Sequence, residues 1–573
     1  MAVPERKKRT KTWKILLGLA AFLFLTMAIL VGFGYFYYGK IIKSFLIETV
    51  HRESHGLYHA EIGKLYLNII TGNLTVTDAA LMPDTALYRR KYGSDSLSPM
   101  LFQVKMNLFR VVGFHILDAI QNRRILVSKI RLFSPEVTII RMAPSVKAKE
   151  DRPEHKLMSI PLPKGWNALS IEKIELHNGK LDYFDLSGES PIHYSIPGCT
   201  VLVDNILVDT AQQRENQLFN AEEIQIHLTG LSDTTKEDLN VISLGEINLS
   251  TRSNSITLHD FRLTPQFNRY DYSRKVGYQT DRMDIYVNRV AVLRADLREF
   301  ILTGNMKAGR VELDSLVFDA YRDKRVPRKP GFRPPMPQDG IRKLKNTLQI
   351  DTLLLRGGMA TYSEQVGRDP GSLFFNNLNA VFTGLTNDAL LLKAGLVSEL
   401  NGTAYLMGKG KLDATFRFNF GDPNNAFTFS ARLGPMELRE VNPMLSKLLP
   451  AEVLGGKIKQ LVVPMVFANN DVATGKLLFY YNDLNVAMTT SRDNTWNSIK
   501  KGVVNFVANN LVVNSNNPTK SGKMKTGIIH FRRDKDKGVI NFIWKSALSG
   551  IKSTVGFNTK EQKAIRKREK KGP

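Results

Sequence analysis

Residues 411–433 read KLDATFRFNFGDPNNAFTFSARL, and two short runs inside this stretch decide the fold. Phe416, Phe418 and Phe420 alternate with Thr415, Arg417 and Asn419; Phe427, Phe429, Ala431 and Leu433 alternate with Thr428, Ser430 and Arg432. Period-two patterning of this kind puts apolar side chains on one face of a strand and polar ones on the other. The Gly421–Ala426 interval is a turn between two such strands. Outward from here the same pattern recurs in short runs from about residue 60 onward, while helical periodicity is confined to Phe114–Asn122 and an amphipathic stretch at Trp496–Asn509. The expectation is a mainly β protein: an elongated, curled, antiparallel sheet with few short helices to cover it.

An internal repeat orders the middle of the chain. IRLFSPEVTIIR (130–141) aligns with VELDSLVFDAYR (311–322), and IELHNGKLDYFD (174–185) aligns with LLLRGGMATYSE (353–364). A Pro-rich polar linker separates the two blocks in each copy. Each copy reads as strand, turn, strand, linker, strand, glycine turn, strand, with Gly179 and Gly358 expected at positive φ in hairpins. VINFIWKSALSG (539–550) reads as a further strand with Ile540, Phe542 and Trp544 on one face.

The chain has 573 residues and a net charge of +26, but the excess is uneven. Residues 1–14, 322–345 and 560–571 together carry +17 of it. No recognition motif accompanies these short basic pieces, so nucleic acid is not an expected partner. A single cysteine, Cys199, leaves no internal disulfide framework and no Cys-built metal site. It reads as a small buried residue.

Ile15–Phe36 is a run of 22 residues without a charge, flanked by Trp13 and by Tyr35, Tyr37 and Tyr38. A helix of that length is about 33 Å long, matching the hydrocarbon core of a bilayer. The basic block at 6–14 predicts a cytoplasmic N-terminus and places the chain from Lys40 onward on the other side. The expected organisation is a cytoplasmic basic tail (1–14), a transmembrane helix (15–38), an N-terminal β region (39–125), a first repeat unit (126–305), a second (306–400), a C-terminal β region with the amphipathic helix near 496–509 (401–558) and a disordered basic tail (559–573).

Catalytic signatures are lacking: there is no GxSxG, GxGxxG or Walker A spacing, and the expectation is a non-enzymatic protein without cofactor. In HRESHGLYH, His51, His55 and His59 fall at i, i+4 and i+8, which on a helix share a face near Glu48; the metalloprotease order is not present. They form a weak metal candidate, and an envelope hydrolase built on them is the remotest alternative. His177 and His193 flank the first repeat with Asp182 and Asp185 and read as strand-edge polar residues.

AEIGKLYLNIITGNLTVTDAALMP (60–83), RLFSPEVTIIR, IEKIELHNGKLDYFD, PMELREVNPMLSKLLPAEVLGGKIKQL (435–461) and ATGKLLFYYNDLNV (473–486) together resemble AsmA-like proteins, with Gly72, Pro135 and Gly179 among the individual marks. The resemblance covers roughly residues 10–560 and rests on hydrophobic spacings. It implies an inner-membrane-anchored periplasmic protein whose β-taco or jellyroll-like sheet forms an apolar groove, kin to bridge-like lipid transfer proteins. It further implies phospholipid or another acyl-chain lipid as ligand, an outer-membrane protein as a possible partner and a part in outer-membrane lipid homeostasis. The expected groove residues are Ile130, Leu132, Ile174, Leu176, Phe416, Phe418, Phe420, Phe427 and Phe429. Val503, Phe506 and Trp544 are expected to cap one end or touch a membrane. The bland alternative is a filled sandwich acting as a structural scaffold for outer-membrane protein assembly.

Overall fold

A computed structural model describes residues 39–571 apart from 42, 53, 69, 93–99, 142–165, 187–191, 210–219, 236–237, 449–450 and 489–513. The expected transmembrane helix (15–38), the amphipathic segment at 496–509 and the first Pro-rich linker lie outside or largely outside these residues. Among the described residues no helix is long and apolar enough to cross a membrane. The fold is mainly β, with 58% strand and 19% helix. It divides into two compact units, residues up to 231 with 249–252, and 232–248 with 253 onward.

The first unit holds β1 (Tyr58–Asn68), β2 (Asn73–Pro83), β3 (Met100–Phe114), β4 (Arg124–Phe133), β5 (Glu136–Arg141), β6 (Ala168–Asp185), β7 (Ile192–Asp209) and most of β8 (Glu223–Thr234). The second holds most of β9 (Asn240–Ser250), then β10 (Ser255–Pro265), β11 (Asp281–Ala295), β12 (Met306–Asp323), β13 (Leu348–Gln365), β14 (Pro370–Thr386), β15 (Ser398–Leu406), β16 (Gly410–Phe418), β17 (Phe427–Leu433), the short β18 (Met436–Glu437), β19 (Ala451–Ala468), β20 (Val472–Met488) and β21 (Gly527–Arg532). The period-two runs at 415–433 are β16 and β17, paired antiparallel with Phe416 opposite Phe429 and Phe418 opposite Phe427.

The sheet is mixed rather than antiparallel throughout, and the departure falls on the repeat. β4 and β5 both pair parallel with β6, with Ile130 opposite Ile174 and Leu132 opposite Leu176; β12 pairs parallel with β13, with Val311 opposite Leu353 and Leu313 opposite Leu355. The two aligned blocks of each copy are therefore neighbours, and the Pro-rich linker is the crossover that carries the chain back to the starting end, as parallel pairing demands.

The glycine turns are not hairpins. β6 runs unbroken through Gly179 and β13 through Gly358; the residues before them, Asn178 and Gly357, carry the positive φ, 51° and 67°. The turn expected in the first block of each copy is likewise a single left-handed residue, Ser134 or Ser315, with φ of 47° and 56°. At these residues apolar spacing changes from two to three, as from Leu313 to Leu316 or Leu355 to Gly358. One left-handed residue bends the strand and resets its in–out alternation, so the apolar run keeps to one face. Gly179 serves close approach: a Cβ there would lie 2.7 Å from Leu176 Cδ2, 3.3 Å from the Cys199 carbonyl oxygen and 3.4 Å from Pro135 Cγ.

Candidate functional site

In the first unit the register lines up apolar side chains across seven strands. One row runs Leu67, Leu74, Val111, Ile130, Ile174, Val203, Ile224; the next runs Leu65, Val76, Phe109, Leu132, Leu176, Val201, Ile226. Directly opposed residues share a face, so each row is a continuous apolar track roughly 30 Å long at the spacing of neighbouring strands. All four first-unit residues expected to line a groove lie on these rows. Ile130 and Ile174 pack with Val111, Ile125, Leu169, Val203, Val208 and Ile226 around a buried centre of Val127, Ile171, Ile206, Ala221 and Ile224. Among the described residues that cluster draws on β3, β4, β6, β7, β8 and Ala221, and on no helix. Most of its members outside the centre remain half-buried. A one-layer sheet leaves such a face in contact with solvent unless something else covers it.

The reverse face is charged. Arg110, Arg131 and Glu175 lie in register; the Arg131 Nε–H donates to Glu175 Oε2 at 2.8 Å, and Lys129 Nζ lies 3.3 Å from Glu175 Oε1. Burial opposes the charged form of Glu175, yet the Arg131 and Lys129 partners outweigh it and hold the carboxyl below its usual range. Lys173 meets Asp204 across the next pair, at 3.8 Å. The two faces of one sheet thus differ as an apolar lining differs from a wet exterior.

The second unit carries a comparable row, Ile256, Val292, Val311, Leu353, Phe382, Leu400, Phe416, Phe429, Val466. Here the C-terminal part is covered. Phe418, Phe420, Phe427 and Phe429 are buried and Phe416 half-buried, their rings stacked at 5.7–6.2 Å, and Phe382, which the alternation did not single out, joins them at 6.1 Å from Phe418. A helix packs on the adjoining β20 and β21 and reaches this cluster at Phe427. Val539–Val555, expected as a strand, is helical and turns Phe542, Ser546, Gly550 and Ser553 toward the sheet. Phe542 meets Phe427 edge-on at 6.3 Å and Phe531 at 6.2 Å. Small residues at every fourth position let the backbone come close: a Cβ on Gly550 would lie 2.8 Å from Ile529 Cγ1 and 3.0 Å from Leu477 Cβ. Ile540 and Trp544, expected beside Phe542 on one face, lie on the helix's outer side, 78% and 46% exposed. Val503 and Phe506 lie outside the described residues.

The basic tail is ordered too. Lys560–Lys571 is a helix held by buried Gln562, whose Nε2 donates to the Ile528 carbonyl at 2.6 Å, and by Arg566, which donates to the Thr526 carbonyl at 2.7 Å. The Pro/Arg segment at 322–345 is anchored rather than a free linker. Gln338 donates to the Asn425 carbonyl at 3.0 Å, Arg342 to the carbonyls of Phe420 and Asp422 at 2.8 and 2.7 Å, and Arg533 reaches the Pro334 carbonyl at 2.9 Å. This strap ties the crossover to the β16–β17 turn and the end of β21.

The histidines separate. The helical stretch at 43–52 ends before His55, which takes φ of 51°, and His59 is the second residue of β1. His51 and His59 approach to 5.4 Å between ring centres, beside Glu48 in a shallow open hollow, and His59 lies 3.9 Å from Asp84. Among the described residues no group of three potential ligands gathers to hold a metal. His177 stacks on Phe133, and His193 stacks on Phe184 at 4.2 Å while its Nε2 lies 3.2 Å from Asp182 Oδ1. Half-buried Cys199 lies opposite Gly179, and burial pushes its thiol up. Compared with known proteins, the chain matches no family model and no curated sequence.

Proposed function

We propose that this chain is a non-enzymatic lipid-binding and lipid-transfer protein of the AsmA-like type. Residues 15–38 anchor it in the inner membrane, the bulk lies in the periplasm, and it supports outer-membrane lipid homeostasis. The observation that carries this reading is the pair of apolar rows crossing seven strands of the first unit, half-buried on one face while ion pairs occupy the other. Acyl chains lying along those rows would complete their burial at about 25 cal/mol per Å² of apolar surface removed from water. Headgroups would stay in water at the rim. Motion along such a track is passive, because one aliphatic contact replaces another of similar energy.

The test is site-specific photocrosslinking in the full chain in cells. A benzophenone side chain at Ile174 or Val203 is expected to label phospholipid, whereas the same group at Arg110, exposed on the charged face, is not. Equal labelling from the two faces, or none from Ile174 and Val203, overturns the reading.

The buried Phe cluster of the second unit favours a second reading, a scaffold with a filled core that positions an outer-membrane assembly partner. In that case the crosslinks from both faces would go to protein and none to lipid.

A further inference from the structure

On the reverse face of the second unit, one aromatic side chain breaks the polar pattern. Strand register places Glu399, Arg417, Thr428, Phe467 and Thr474 in one row across β15, β16, β17, β19 and β20, so neighbours in the row stand about 5 Å apart. Phe467 is 60% exposed, while Val466 and Ala468 on either side of it in β19 are buried on the other face. An open hollow of about 470 Å³ surrounds the ring, with Val397, Asn419 and Asn469 beside the members of the row. The polar groups there are donors whose geometry is already set. Asn419 Oδ1 accepts from the Gly421 N–H at 3.0 Å, and Asn469 Oδ1 from the Asp471 and Val472 N–H groups at 2.9 and 3.0 Å. Both Nδ2 groups are left as donors. Among the described residues these Nδ2 groups and the Thr428 and Thr474 hydroxyls have no hydrogen-bond partner. The charges are paired: Arg417 Nε donates to Glu399 Oε2 at 2.7 Å, and Asp471 lies 2.7 Å from Lys535.

A large aromatic ring left open on a polar sheet face marks a surface that something covers, and the groups around it say what kind. An acyl chain or an apolar protein side chain on Phe467 would bury two amides and two hydroxyls without partners, at a cost. An anion would meet a guanidinium already held by a carboxylate. A neutral sugar suits both halves of the site. The C–H groups on one side of a pyranose carry partial positive charge that the negative face of the Phe467 ring attracts. The hydroxyls at its edge accept from the amides and exchange hydrogen bonds with the threonines. We propose that the hollow is a carbohydrate-binding site for a neutral pyranose, stacked on Phe467 and held at its edges by Asn419, Asn469, Thr428 and Thr474. Its volume suits a mono- or disaccharide unit.

Saturation-transfer NMR tests this on the full chain, in micelles of a detergent without a sugar headgroup, with cellobiose, chitobiose and maltose as probes. At least one is expected to bind saturably and to receive most transfer at the C–H groups of one ring face. Digalacturonate, similar in size but charged, is expected to bind less well. Phe467→Leu keeps an apolar side chain without the π face and should weaken binding about tenfold, whereas Phe467→Trp should retain it. Thr474→Val should weaken it about threefold. Affinity that climbs from the disaccharide to the hexasaccharide of the bound series makes a glycan polymer the occupant, and equal affinity makes it a free sugar. No saturable transfer to any of the three neutral probes, or transfer that Phe467→Leu leaves unchanged, overturns the proposal, as does a preference for digalacturonate. Because the ring is exposed, Phe467→Leu should melt with the parent; a marked fall assigns Phe467 to the packing of the sheet and also overturns it. Lipid labelling at Ile174 reads the other unit, so the two proposals stand or fall separately.

Discussion

Phe542→Ala and Ile174→Ala should differ sharply in cost, because one side chain is sealed between helix and sheet and the other borders an uncovered face. Phe542 is 2% exposed and touches the rings of Phe427 and Phe531. Removing a buried phenyl group costs about 3–5 kcal/mol, transfer and cavity terms together. The helix backbone, held close at Gly550, has little room to collapse into the void. Ile174 is half-buried at the margin of its apolar cluster. Its truncation loses about half the transfer term and leaves no enclosed cavity, about 1–2 kcal/mol. Native-state hydrogen exchange on the purified full chain separates the two. Phe542→Ala should lower protection in β20 and β21, and Ile174→Ala more weakly in β6 and β7. Equal losses would mean that the first-unit rows are packed under a cover, and a loss below about 1 kcal/mol at Phe542 would mean that the helix does not seal the Phe cluster.

Three further outcomes are expected. Arg342→Ala leaves the Phe420 carbonyl without its side-chain donor and takes one of two donors from the Asp422 carbonyl, and limited proteolysis should then cut within 326–345 much faster than in the parent, with an unchanged rate showing that the strap is held elsewhere. Gly179→Ala forces a Cβ to 2.7 Å from Leu176 Cδ2 and 3.3 Å from the Cys199 carbonyl oxygen and should cost about 1–3 kcal/mol in urea unfolding; a neutral effect would mean that the Leu176 side chain turns aside and β7 yields. Glu175 has a folded pKa below its ordinary value of 4.5, so its stabilising contribution is present above about pH 4.5 and is lost as pH falls through the lower folded value. Melting temperature against pH should therefore decline less steeply below pH 4.5 in Glu175→Gln than in the parent, and parallel curves would remove Glu175 from the account.

Period-two patterning located the strands wherever apolar and polar residues alternate strictly, as in β16 and β17, and the repeat located equivalent strands. Neither carries direction. An aligned pair of blocks reads the same whether the second runs parallel or antiparallel to the first, and only the long crossover hints at the parallel answer. Gly179 and Gly358 were conspicuous for a sound reason attached to the wrong event: positive φ belongs to the preceding residue, and the strand passes through. The helix over the Phe cluster escaped because its buried stripe is Phe542, Ser546, Gly550 and Ser553. Three of these four are small, so the helical period is written in size rather than hydrophobicity, while Ile540, Phe542 and Trp544 imitate a strand. The tail after Lys560 looked solvated because its charges hide Gln562 and Arg566, whose partners are backbone carbonyls that no composition reveals. Phe382 belongs to the ring cluster through register alone.

The rows of the first unit also have a genetic consequence. Each contributes a column of interchangeable aliphatic residues, and exchanging Ile130 for Val or Leu176 for Met leaves the column's character unchanged. Selection then acts on the column as a sum, so single substitutions along it should pass through a mutational screen almost silently. Lesions recovered from such a screen should concentrate instead where one residue has one irreplaceable partner, as Arg342 on the strap and Gly550 under the helix do. A drifting lining inside a fixed frame is how such a face would age.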